Sequence, residues 1–219
     1  MKIQLGNQAP LVAVVVVIFT VVDGQLKALL IHRSGAPHRD TWAIPGGLLR
    51  PGEALVDAAV RKLVDETGLK DLFLEQLYTL NDLDDTTPGG AIAVTYFALV
   101  DHTRVRLAER TEWQPAWFAM RSLPQLAFRN EDVLHYALAR LRNKLEYTNV
   151  AYSLLPDRFT LSQLQRVYES ILGRELDKRN FRKRMLSREI IAATKDRQAE
   201  GAGRPALLYR FVSREPVEM

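Results

Sequence analysis

The sequence has no cysteine among its 219 residues, which excludes disulfide frameworks and thiolate metal sites. Nor does it have a long hydrophobic run. The longest stretch, Leu11 to Val22, has 12 residues with Thr20 inside it, whereas a bilayer-spanning helix needs about 20. It also lacks a basic leader and a small-residue cleavage site, and the absence of cysteine makes a reducing cytoplasm the expected setting. Histidine is scarce, and His32, His38, His102 and His135 are not spaced as metal ligands. There is no internal repeat and no low-complexity tract. The content that remains, 47% hydrophobic and 26% charged, is that of a globular chain with a real core, long enough for two domains.

Charge is unevenly shared. Residues 1–150 hold 16 Lys/Arg and 17 Asp/Glu, a balance of −1, while residues 151–219 hold 14 and 9, a balance of +5. The second part is therefore the one suited to a polyanion. In the first part, strand patterns cover 12–22, 26–32, 73–79, 91–100 and 115–118, and Asp23-Gly24 forms the turn of a hairpin. A single helical stripe, Leu55, Ala58, Ala59 and Leu63, runs over 54–67 and ends at Gly68 as a left-handed cap. Mixed strands around one helix predict an α/β sandwich over 1–129, with a polar, turn-rich loop at 81–90. Trp42, Trp113 and Trp117 are expected to pack in its interior.

Residues 130–147 predict a connecting or dimerising helix within a 130–149 linker. Beyond it, Thr160 is placed to cap a helix carrying Leu161, Leu164, Val167, Tyr168 and Ile171 and ending at Gly173. Asp177 is placed to cap a second, shorter helix, and 190–212 reads as a hairpin with a polar, Gly-rich middle. Helix, turn, helix and hairpin make a winged helix-turn-helix over 150–219. In the second helix Phe181 and Met185 stand at i, i+4 and face inward, which turns Lys178, Arg179, Arg182 and Lys183 outward. Such a helix suits the DNA major groove. Arg179 and Arg182 are candidates to read guanine and Asn180 to pair with adenine. Lys183, Arg184 and Arg188, with Lys195, Arg197 and Arg204 on the wing, are candidate phosphate contacts.

Between the first strands and the first helix lies a denser motif. Gly47 is followed by five residues, Glu53, seven residues, and then "RKLVDETGL" from Arg61 to Leu69. That spacing is the Nudix box, with glycines that admit a pyrophosphate and a helix face that stacks three carboxylates, at 62, 65 and 66, for magnesium. The chain departs at two of the three. Lys62 replaces one glutamate and Asp65 shortens another, leaving Glu66 intact. An ammonium at 62 stands where a divalent ion would, and repulsion at 4 Å costs about 1 kcal/mol in water and several times that near a protein surface. Weak metal binding through Glu66 and Asp65, and weak or absent hydrolysis, are expected; Mg²⁺ is not required. Arg33, Arg39, Gly46, Gly47, Glu53, Lys62 and Glu66 are the candidate ligand-binding residues.

A box of this kind followed by the segment "LLPDRFTLSQLQRVYESILGRELDKRNFRKRML", together with "WAIPGG" and "LAFRNEDVLHYALARLRNKLEYT", resembles the bacterial Nudix-related transcriptional regulators of NAD metabolism. The resemblance spans nearly the full chain. It implies a homodimer whose Nudix domain senses ADP-ribose or a related NAD derivative and whose winged helix binds operator DNA, acting as a repressor of NAD biosynthesis or salvage genes. The acidic loop "NDLDDTTPGG" departs from that family's arginine-bearing loop. The rival reading is an ADP-ribose or nucleotide-sugar pyrophosphatase whose tail only dimerises.

Overall fold

The computed structural model describes residues 11–68, 73–81, 91–107, 113–199 and 205–218. The acidic loop at 82–90 and Arg204 on the wing lie outside them.

Strand β1 (Leu11–Val22) is the axis of the first unit. It pairs antiparallel with β2 (Gln25–Arg33) through a turn in which Asp23 and Gly24 take φ of 52° and 70°. That is the positive-φ pair a two-residue hairpin turn demands. Its other edge runs parallel to β6 (Ala91–Leu99), which pairs with β5 (Leu74–Asn81). Two short strands complete the framework beside the box, β3 (Trp42–Ala43) on β2 and β4 (Gly46–Leu48) on β1, while β7 (Trp113–Ala119) lies on the far side of β2. β3 and β4 escape a pattern reading because two- and three-residue strands carry no periodicity of their own.

The valine run of β1 explains the layering. Val14, Val16 and Ile18 point to one face, against Ala58, Ala59 and Leu63 of helix α1 (Leu55–Thr67). Val15, Val17 and Phe19 point to the other, towards helix α2 (Asn130–Tyr147). A strand buried on both faces needs apolar residues at every position, so the run lacks alternation. Trp42 packs edge-on against His32 and Phe118, and Trp117 packs on the α1 side of the sheet. The side chain of Trp113 is not among the described atoms.

The second unit has helices α3 (Leu161–Leu172) and α4 (Lys178–Ser187), and a small sheet in which β10 (Ala206–Phe211) lies between β8 (Phe159–Thr160) and β9 (Ile191–Gln198). Thr160 and Gln163 form a reciprocal capping box at the start of α3, Gly173 closes it at φ 72°, and the Asp177 carboxylate accepts from the Asn180 amide to start α4. The mixed α/β sandwich and the winged helix thus form as expected.

The two units share one core. Val133, Leu134, Ala137, Leu141 and Leu145 of α2 belong to a continuous buried cluster reaching Phe19 and Leu30 of the sheet at one end and Phe159, Leu164, Phe181 and Met185 of the winged helix at the other. Polar ties reinforce it. The Asn130 side chain accepts from the Ile44 amide (2.7 Å), and Glu75 on β5 meets Lys144 at 2.7 Å and Arg140 at 3.0 Å on α2.

Candidate functional site

The box occupies β4 and α1. Gly46 and Gly47 lie in β4, opposite Val15 and Val14 of β1. A Cβ at 46 would stand 3.0 Å from the Val14 carbonyl oxygen and 3.2 Å from Val15 Cγ2. One at 47 would stand 2.8 Å from Cε and 3.2 Å from Nζ of Lys62. Both glycines therefore make room for the protein's own atoms, a demand distinct from the pyrophosphate approach expected of them. The Lys62 side chain crosses from α1 and lays its ammonium over the backbone of the glycine cradle.

Glu53, just before α1, is clasped by Arg61 through Nε (2.7 Å) and a second nitrogen (2.8 Å), and it also accepts from the Arg50 amide (3.0 Å). The Arg61 guanidinium, helped by the Arg50 amide, holds the Glu53 pKa at about 2. Because that value is depressed, the clasp's stabilisation is full above the ordinary carboxylate value of 4.5 and is lost as pH falls towards about 2. The melting temperatures of wild type and Glu53→Gln, followed from pH 7 downwards, should differ most at neutral pH and converge across that window. A gap that stays constant with pH would remove the clasp from the stability of the box.

Asp65 is half-buried and Glu66 almost fully buried in α1. Among the described residues no group of three or more His, Asp or Glu side chains is arranged as a metal site. The Lys62 ammonium lies over the cradle and Glu53 is engaged by Arg61, so both charges stand beside the two acids of the helix face. Arg33 and Arg39 stand apart, Arg33 at the end of β2 and Arg39 in the loop that follows it. Arg33 donates to the Pro37 carbonyl and lies over the Phe128 ring at 4.9 Å, and Arg39 donates to the Ser34 carbonyl at 3.0 Å. The structure thus gathers Gly46, Gly47, Glu53, Lys62 and Glu66 around β4 and α1, and sets Arg33 at the end of β2 and Arg39 in the loop after it. Sequence reasoning passed over the Tyr78–Tyr136 ring pair (4.3 Å) and the Glu75–Lys144–Arg140 group, because each joins β5 to a helix more than fifty residues away.

On α4, Phe181 and Met185 are buried, and Lys178, Arg179, Asn180, Arg182, Lys183 and Arg184 are all exposed. Among the described residues, Lys178, Arg179, Arg182 and Lys183 make no side-chain hydrogen bond or ion pair, so an unneutralised cationic face crowns the second helix. Arg188 departs from that face. It is half-buried and donates to the carbonyls of Leu145 and Glu146 at the end of α2. Those carbonyls lack intrahelical partners and sit at the negative end of the helix, which is what draws the guanidinium inward. On the wing Lys195 is exposed, and Arg197 is exposed while donating to the Pro205 carbonyl across the hairpin.

The comparisons with known proteins follow this two-part plan. The model of the NUDIX domain matches residues 10–138, and that of the NrtR DNA-binding winged helix domain matches 151–211. An ADPR responsive transcriptional repressor NtrR of Acinetobacter baylyi is 39% identical over 209 residues, covering 93% of this chain and 82% of that protein. The crystal structure of Shewanella oneidensis NrtR complexed with a 27mer DNA superposes with a TM-score of 0.81 at 32% identity, covering 91% of this chain and 93% of that one. The NUDIX domain of the same Shewanella protein, complexed with ADP ribose, gives 0.54 at 30% identity over 61% of this chain and 90% of that one.

Proposed function

This chain belongs to the family of NUDIX-domain repressors that carry an NrtR winged helix, and from that membership we propose that it is an ADP-ribose-responsive transcriptional repressor of genes for NAD biosynthesis or salvage. The observation that carries the reading is the pairing of a box overlaid by Lys62 with an exposed, unneutralised cationic helix α4. The first accounts for recognition without efficient turnover. The second accounts for DNA.

In this reading residues 1–129 bind ADP-ribose through the cradle of Gly46, Gly47, Lys62 and their neighbours, 130–149 connect and dimerise, and 150–219 bind operator DNA. Lys62 contributes a fixed positive charge against a diphosphate, in the place where an active box would recruit magnesium. α4 enters the major groove with Arg179, Asn180 and Arg182 towards base edges, and Lys183 and Lys195 contact phosphates. Arg188 is assigned instead to the junction with α2. A homodimer sets two such helices in half-sites of a palindromic operator. Work on bacterial DNA places the protein in the cytoplasm. No described helix is long and apolar enough to cross a membrane.

Ligand and DNA are linked through α2, whose core side chains touch both units. ADP-ribose shifts DNA affinity only to the extent that it binds the two arrangements unequally. Fluorescence anisotropy on promoter DNA, with and without ADP-ribose, tests this. A specific shift over random DNA that changes with ADP-ribose is the expected result, and none at moderate salt would defeat the reading. The rival enzyme is tested by phosphate release with magnesium. Wild type should be nearly silent and Lys62→Glu should be more active. Turnover by wild type at ordinary enzyme rates would reverse the assignment of Lys62.

A further inference from the structure

Between the two units lies a cleft of about 460 Å³, away from both the box and the outer face of α4. It is bounded by the β1–β2 turn, the segment after β7, α2 and the C-terminal half of α3. Arg121, Arg142, Arg166 and Arg174 line it, against two acids, Glu169 and Glu175. We propose that this cleft is a second ligand site, taking a small phosphate-bearing anion that bridges the sensor and the DNA reader.

Four arginines converging from three segments of chain, the turn after β7, α2, and α3 with the residues just after it, are not a solvated charge run, which would lie along one helix. Repulsion among guanidiniums that line one cleft is relieved when an anion lies between them, and the planar fork suits phosphate oxygens. The two acids offset half of this field and leave a surplus of two positive charges. Glu169 is held by the Gln165 side chain (2.9 Å) and the Leu176 amide (2.9 Å), which fix its carboxylate towards the α3–α4 turn. Arg142 is positioned by a bond from its Nε to the Ile171 carbonyl (2.8 Å), so its guanidinium stands at the end of α3. Leu138 and Ile171 give the cleft an apolar wall, and its volume falls within the range of small-molecule sites, roughly 300–1,000 Å³. Arg121 belongs to the first unit and Arg166 and Arg174 to the second. An anion seated among them stabilises one arrangement of the two and so acts on DNA affinity independently of the box.

Inorganic pyrophosphate is the probe, with the full-length protein. Thermal melting at millimolar pyrophosphate should rise by about 3–6 °C at ten times its dissociation constant. With the box saturated by ADP-ribose beforehand, the shift should vanish in the Arg121→Ala/Arg166→Ala double variant and persist in Asn143→Ala. The single variants Arg121→Ala and Arg166→Ala, each expected to weaken the effect in part, keep the test decisive if the double variant does not fold. Three results would overturn the proposal: no shift in the ADP-ribose-saturated wild type; a full shift retained by the double variant under the same saturation, which would put the anion on α4; or loss of DNA affinity by Arg121→Ala/Arg166→Ala without pyrophosphate, which would make the arginines DNA contacts.

Discussion

Replacing Arg179 and Arg182 together by alanine is expected to weaken operator binding by roughly 100-fold or more, while leaving the melting temperature and ADP-ribose affinity at wild-type values. Both side chains are exposed on α4, and among the described residues neither has a hydrogen-bonding or ionic partner within the protein, so removing them leaves nothing unsatisfied behind. A bidentate arginine contact to guanine contributes about 1–3 kcal/mol of discrimination, and each 1.4 kcal/mol is about tenfold. The loss should be concentrated on specific DNA. Lys183→Ala, by contrast, should weaken all sequences alike and reduce the salt slope by about one. Anisotropy against operator and random duplexes at several salt concentrations separates the two. Equal loss of DNA and ADP-ribose binding in the arginine double variant would contradict the division of labour between the units.

The second large effect is expected from Leu141→Ala. Leu141 is fully buried in α2, within the cluster that joins the sheet to the winged helix. Truncating such a leucine costs about 2–5 kcal/mol, through lost transfer energy and the cavity left behind. Because the core is continuous, the wild-type protein should unfold in a single cooperative transition that the variant shifts downwards as a whole. Calorimetry reports this directly. Two separate transitions, only one of them moved by Leu141→Ala, would show that the units fold independently and would remove α2 as the mechanical link for ligand response. Substituting an exposed residue of the same helix, as in Asn143→Ala, should be nearly silent in the same measurement.

Much of the fold was legible because its signals are local. The Asp23-Gly24 turn, the stripe of α1, the Gly68 and Gly173 caps, the Thr160 cap and the inward pair Phe181 and Met185 each follow from a few consecutive residues. What failed to show was either too short or too distant. β4 is three residues long and exists because β1 offers it an edge, so Gly46 and Gly47 read only as an approach for pyrophosphate when they are also strand residues pressed against β1 and Lys62. Arg188 reads as one more cation in a basic run. Only packing reveals the open carbonyls of α2, more than forty residues earlier, that turn it inward.

The sequence by itself determined the order of the longer elements, the two-part charge distribution, the box spacing and the substitution of lysine at 62, since each is a matter of residue type and separation along the chain. The tertiary structure decided the rest. It laid the Lys62 ammonium over Gly47, ran one apolar core through sensor, connector and reader, and drew Arg121, Arg142, Arg166 and Arg174 into a shared cleft. Those outcomes depend on which faces are buried against which, a relation among distant residues that no local pattern encodes.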